Sequence, residues 1–294
     1  MVRRRMTEDP ISRLAIWARR LALFALVAVV LSIIVVRSGV LEIEPALATF
    51  GGALVLAAIA ILLAVGALIF IWRDGLGGTG YAVSAIVIGL ALLAYPAYLG
   101  VRAAQLPAIA DITTDPIDPP RFEAIARIRP RVANPVAYVG LYAAEQQRNA
   151  YPDVEPLLLD ASPSAAYEAV LAVVNRHKWR IVDSREPIAR RRDGHVEAVA
   201  RTPIMGFRDD IVIRIRSNSE GARVDVRSAS RYGRHDFGAN AARVVGLLGE
   251  IDEVVGTEQE KQEKKLERQQ KKQPPQKTPV KAQTPAKAQA PAKR

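Results

Sequence analysis

Three long uncharged runs occupy the first third of the chain: Leu21 to Val36, Ala46 to Trp72 and Tyr81 to Val101. Runs of this length without Asp, Glu, Lys, Arg or His are rare inside soluble domains, so each is expected to be a transmembrane helix. The first is the shortest. Its sixteen residues span about 24 Å as a helix against a hydrocarbon core of roughly 30 Å. Arg20 and Arg37 close that gap by snorkelling, and Trp17 anchors the interface. A cleaved signal peptide is the competing reading, with Ala46-Leu47-Ala48 as the small-residue site. Against it, Arg37, Glu42 and Glu44 separate that triplet from the apolar run. Gly51, Gly52, Gly66, Ser84 and Gly89 are candidates for close helix packing, and Pro96 for a kink in the third helix. No acidic, basic or histidine side chain interrupts the runs, which argues against an ion or proton pathway.

Beyond Val101 the pattern turns irregular. Residues 102–150 are broken by Pro107, Pro116, Pro119, Pro120, Pro130 and Pro135, and they read either as an extended strap docked on the next domain or as a plain spacer. The compact pattern runs from 151 to 256. Ser162-Pro163 supplies an N-cap and a first-turn proline, and Tyr167, Val170, Leu171 and Val174 form a helical stripe that ends near His177-Lys178. Trp179 to Val182 reads as a strand, and an Asp193-Gly194 turn precedes another from His195 to Arg201, a register that would set Arg190 opposite Glu197.

Ile211, Ile213 and Ile215 then alternate with polar residues, as do Val224 and Val226, around an Asn218-Ser219-Glu220-Gly221 turn. This is a hairpin that places Arg214 opposite Asp225 and Val212 opposite Arg227. A helix follows from about Phe237, capped by Asp236, with Val244, Leu247, Leu248, Ile251 and Val255 on its apolar side. The fold class is therefore an α-helical membrane region of three spans plus a two-layer α+β domain, in which an antiparallel sheet carries two helices on one face. Past Val255 the stripe vanishes. Glu260/Lys264 and Glu267/Lys271 keep helical spacing to about Lys272, after which Pro, Lys, Gln and Ala dominate and a disordered tail is expected.

Charge changes the picture only at the ends. The net +11 is carried by residues 1–20, with six Arg against Glu8 and Asp9, and by residues 257–294, with eleven Lys/Arg against four Glu. The folded middle is near neutral, so the basic balance is no sign of nucleic-acid binding. Absence of cysteine excludes disulfides and thiolate chemistry. Arg3, Arg4, Arg5, Arg13, Arg19, Arg20 and Arg73 fall on one side of the spans, and Arg37 and Arg102 on the other beside Glu42 and Glu44. The leader should thus be cytoplasmic. The domain then lies outside the cytoplasm, periplasmic if the membrane is a Gram-negative inner membrane.

The densest chemistry lies between Asp209 and Arg243. Asp209, Asp210, Arg214, Asp225, Arg227, Ser228, Ser230, Arg231, Asp236, Asn240 and Arg243 admit three readings. They form a network that ties the hairpin to the helix start. Alternatively they form an anion or glycan pocket, with forked donors from Arg227, Arg231 and Arg243 and helix amides near Phe237. In a third reading Ser228 or Ser230 is a nucleophile with His235 as its base, although no G-x-S-x-G elbow is present. Asp209 and Asp210 are adjacent on a strand and so face opposite ways, a poor start for a metal site. His177, His195 and His235 lack close ligand spacing. No cofactor fingerprint occurs.

The stretches DITTDPIDPPRF, YPDVEPL, HVEAVARTPIMGFRDDIVIRI and VDVRSASRYGRHDFGANAAR resemble the DUF1499 family over roughly residues 111–253. The pattern R-S-x-S-R-x-G-x-x-D-x-G-x-N-A-x-R falls on Arg227, Ser228, Ser230, Arg231, Gly233, Asp236, Gly238, Asn240, Ala241 and Arg243. The resemblance implies a domain of unassigned biochemistry that often follows N-terminal membrane helices, and it implies no catalytic residues. The expectation is a binding or scaffold module of the cell envelope rather than an enzyme, with the lipid bilayer as its first partner. Anionic headgroups, cell wall or envelope proteins would meet its tail.

Overall fold

The computed structural model describes residues 10–39, 43–188 and 193–272. The leader arginines Arg3 to Arg5, Arg190 and the tail beyond 272 lie outside the described residues. The side chains of Glu267 and Lys271 are not described either, whereas Lys264 and Glu260 make the expected contact at 3.1 Å.

Three helices come first: α1 (Arg13–Ser38), α2 (Ile43–Asp74) and α3 (Thr79–Gln105), each long and apolar enough to cross a membrane. The Ala46-Leu47-Ala48 triplet sits inside α2 rather than in an open cleavage segment. The seam between the helices is built of alanine, with Ala15, Ala18, Ala22, Ala60, Ala64, Ala67, Ala82 and Ala85 all buried. Small side chains let helix backbones approach where no hydrophobic force drives them together. Of the small residues expected there, Gly89 does this work, since a Cβ on it would strike Ile61 at 2.5 Å. Gly51 and Gly52 instead face open space, and Ser84 bonds its own helix at Tyr81 O. Pro96 lies inside α3, which continues through it.

The rest of the compact unit that ends at Val255 is built on one antiparallel sheet. Its strands are β1 (Asp111–Thr113), β2 (Leu157–Leu159), β3 (Arg180–Arg185), β4 (Asp193–Arg201), β5 (Arg208–Asn218) and β6 (Gly221–Ser230). They are ordered β1-β6-β5-β4-β3, with β2 also on β6. The central hairpin has the register read from its alternation, Arg214 opposite Asp225 and Val212 opposite Arg227. The β3–β4 register does not follow the expectation for Arg190: Glu197 faces Asp183, and the strands shift between Ile181 and Asp183. The connection is longer than a two-residue loop, which moves every later pairing.

Two helices cover one face, α6 (Pro163–Arg176) and α7 (Ala239–Lys272). Ser162 caps α6 by accepting from Ala165 N, with Pro163 in the first turn. Val170, Val173 and Val174 of α6 and Val244, Leu247 and Ile251 of α7 meet Ile211, Ile213, Ile215, Val224 and Val226 in the main core. α7 starts two residues later than its stripe implies, because Phe237 and Gly238 take positive φ (56° and 82°).

Residues 107–150 are more than a spacer: they extend the sheet and cover part of its opposite face, while Ile109, Ile112 and Ala143 join the main core. They supply β1, α4 (Ala124–Ile128) and α5 (Leu141–Ala150). Phe122 and Ile125 pack on Val199, Val212 and Ala229 in a second, smaller core. Three-residue strands such as β1 carry too few alternations to be seen in sequence. At the base of the sheet, Arg37 donates to Pro203 O and Ile204 O, and Arg102 to Phe237 O. The ends of α1 and α3 are thereby fixed to the domain.

Candidate functional site

Strand alternation divides the polar residues of β5 and β6 between the two sheet faces. On the helix face, Arg243 Nη2 donates to Asp209 Oδ2 at 2.6 Å and Arg243 Nη1 to Ser228 Oγ at 3.0 Å. Ser228 Oγ donates to Asn240 Oδ1 at 2.8 Å, and Asn240 Nδ2 donates to Ser230 Oγ at 2.9 Å and to Ala110 O at 3.1 Å. Asp236 accepts from Gly238 N at 2.9 Å and Asn240 N at 2.8 Å, so the first free amides of α7 are already capped. Burial raises the Asp236 pKa and the Asp209 charge adds to that, against these two amide bonds. Gly238 is required twice over. Its φ is positive, and a Cβ there would lie 2.6 Å from Arg102 Nη2.

On the other face carboxylates hold the arginines. Asp210 binds Arg231 through Nε and Nη2 at 2.9 and 2.7 Å and also Arg129 Nε at 2.8 Å. Arg227 forks onto Asp111 at 2.9 and 2.7 Å, donates to Pro120 O and Val136 O, and lies over the rings of Phe122 and Tyr138. Asp225 collects Arg216 at 2.7 Å, Arg223 at 2.9 Å and Arg214 at 3.3 Å, and Asp115 joins the same three. Sequence reasoning found Arg214 and Asp225 but missed Arg129, Asp115, Asp118, Arg216 and Arg223. The visible signal was the carboxylate-rich Asp111–Asp118 segment facing a strand with alternate arginines.

Glu197 is fully buried on this face. It accepts from Glu123 N, Ala124 N and Ile125 N at 2.7, 3.0 and 2.7 Å, which caps α4, and meets His195 Nε2 at 2.9 Å. Burial pushes its pKa up, but His195 and the three amides outweigh that and bring it down to about 2. Asp183, His195 and Glu197 each offer a ligand atom within 4.8 Å of the others. In this arrangement the Glu197 oxygens are filled by amides, and Asp183 holds Arg185 at 3.0 Å.

The guanidinium groups of Arg227, Arg231 and Arg243 are all taken by carboxylates, two of them at 2% exposure. An anion would have to displace a buried acid. His235 Nε2 lies on Leu106 O, its Nδ1 accepts from Phe237 N, and its ring stacks on Phe237. Ser228 and Ser230 bond to Asn240 instead. The serine–histidine pair of the hydrolase reading is therefore not assembled, because the turn at positive φ points the imidazole toward the end of α3.

A cleft of about 510 Å³ opens beside β1, between α5 and the loop after β6. Ile109, Ala110, Ala143 and Ala229 give it apolar walls, and Asn134, Tyr138, Ser230 and Arg234 bring polar atoms. Tyr138 Oη is buried and makes no hydrogen bond among the described residues. Burial, aided by the charge of Asp111, pushes its pKa up to about 12, so it stays a neutral donor. Val139 and Tyr142 are more than 70% exposed along the rim. This cleft was not legible in sequence, because its lining comes from four separate segments.

These features define an α+β domain carried behind three apolar helices. Residues 111–251 match the model of the family described as protein of unknown function (DUF1499). No curated protein and no solved structure matches the chain.

Proposed function

We propose that this protein is a membrane-anchored binding module with no catalytic chemistry of its own. It holds an amphipathic ligand with an acidic or hydroxylated head in the cleft beside β1. One observation carries this reading: the cleft sets apolar walls beside the exposed Arg234, whereas Arg227, Arg231 and Arg243 are spent on carboxylates. Apolar walls with a few polar groups are the usual makeup of a ligand cleft. Arg234 is exposed and has no partner among the described residues, and it supplies the cation for an acidic head.

The side of the membrane follows from charge. Arg13, Arg19, Arg20 and Arg73 lie at the end of the helices away from the domain, with the leader arginines of the sequence beyond them. Arg37 and Arg102 lie at the domain end, where both are occupied by backbone carbonyls. The positive-inside rule then supports an N-terminus in the cytoplasm and a domain outside it, facing the periplasm if the host is Gram-negative.

The test is photo-crosslinking in native membranes with a diazirine-bearing fatty acid. Adducts on peptides spanning 134–146 are expected, and they should disappear in Ala137→Trp, which fills the cleft. Labelling confined to the three helices would refute the proposal.

A further inference from the structure

The base of the sheet carries arginines that pair with no acid among the described residues. Arg201 and Arg208 are direct partners across β4 and β5, Arg180 is paired with Val199 on the next strand, and Arg37 ends α1. All four are exposed, and among the described residues none lies within ion-pair distance of a carboxylate. Every arginine higher on the same face of β5 and β6 has one. Like charges directly opposite on adjacent strands destabilise a sheet, so the arrangement needs a counter-charge. Burial, and after it the charges of Arg231, Arg201 and Arg180, push the pKa of Arg208 down.

Directly below, α1 and α2 enclose an apolar groove of about 310 Å³ lined by Phe24, Val27, Leu31, Val35, Ala46 and Thr49. The α1 stripe through Leu31 and Val35 reaches Gly39 one turn later, and a Cβ on Gly39 would lie 3.7 Å from Arg208 Nη2. A free guanidinium thus stands at the end of a groove cut into helices long enough to cross a membrane. Arg37 Nη1 is held by Pro203 O and Ile204 O, which leaves its Nε and Nη2 free of partners among the described residues.

We propose that this junction binds an anionic glycerophospholipid, with its phosphate on Arg37, Arg201 and Arg208 and one acyl chain in the α1–α2 groove. A guanidinium fork matches phosphate geometry, and juxtamembrane arginines gain affinity from anionic headgroups. The site shares no residue with the cleft beside β1. It rests only on the three helices lying in a bilayer.

The experiment uses the full chain in detergent, exchanged with phosphatidylglycerol, phosphatidylcholine or inorganic phosphate and read by native mass spectrometry. Phosphatidylglycerol should be retained at least about ten-fold over phosphatidylcholine. The double variant Arg201→Gln/Arg208→Gln should lower its retention roughly twenty-five-fold, since each guanidinium at an anionic surface is worth about five-fold in affinity. Thr49→Phe, which fills the groove and leaves the arginines in place, should also displace the lipid. Resistance to carbonate extraction reads anchoring alone and should be unchanged in both variants. Equal retention of the two lipids, or retention unaffected by either variant, would overturn the proposal. Displacement of phosphatidylglycerol by inorganic phosphate at matched concentration would overturn it as well, because the site would then read phosphate without the chain.

Discussion

Replacing Glu197 by Gln removes one negative charge from the strap-covered face of the sheet and changes little else in size. In the native arrangement that charge accepts from three consecutive amides at the start of α4 and from His195. Its pKa is about 2, against 4.5 for the free side chain. A carboxyl lowered in the folded state contributes stability that is complete above the unfolded value and is lost as pH falls toward the folded one. Here that means full strength above about pH 5.5 and progressive loss from there to pH 2. The group contributes about 3 kcal/mol at pH 7, at 1.36 kcal/mol for each tenfold in proton affinity. Glutamine keeps one acceptor but turns an NH2 toward an amide donor, so Glu197→Gln should cost about 3 kcal/mol at pH 7. The penalty should shrink by about 2 kcal/mol at pH 3, where much of the native contribution is already gone. The assay is urea unfolding of the full chain in detergent with Trp17 and Trp72 changed to Phe, so that Trp179, stacked on His177 at 4.7 Å, reports the domain. A penalty under about 1 kcal/mol at pH 7, or one that stays constant between pH 7 and 3, would refute the reasoning.

Three further outcomes follow from the same geometry. Asp236→Asn should change stability by less than about 0.5 kcal/mol at pH 7, or increase it, because asparagine caps a helix as well as aspartate does and relieves a buried charge beside Asp209; urea midpoints check this. Arg227→Lys should cost about 3 kcal/mol, since an ammonium cannot fork onto Asp111 while also reaching Pro120 O and Val136 O. Thermal unfolding with a fall in Tm of several degrees is the expected reading. Paired topology reporters fused after Ile251 should be active outside the cytoplasm and silent inside, and the reverse would overturn the span count or the orientation.

The sequence was most informative where a period repeated. Three uncharged runs became three helices, and the alternation of Ile211 to Ile215 with Val224 and Val226 fixed the hairpin register down to Arg214 and Asp225. Adjacent Asp209 and Asp210 went to opposite faces as strand geometry requires, one to Arg243 and the other to Arg231. Partnership over long separations was not legible. Arg129 meets Asp210 across 81 residues and Arg227 meets Asp111 across 116, and local spacing carries no trace of either. The cleft was hidden for the same reason. The β3–β4 register failed because an Asp-Gly pair was read as the turn itself, whereas Asp193 and Gly194 are already strand residues paired with Arg216 and Ile215.

The claim that the cleft is the binding site, and that the Asp209–Arg243 network only holds the fold, is tested most directly by comparing two variants of the full chain purified side by side. Native mass spectrometry from mild detergent would read the small-molecule adduct on Ala137→Trp, which blocks the cleft, and on Arg243→Gln, which loosens the network without touching it. The account predicts that the adduct vanishes from Ala137→Trp and persists on Arg243→Gln, while Tm falls in Arg243→Gln alone. An adduct that persists with the cleft blocked and vanishes with Arg243 would contradict it and return the site to the arginine network.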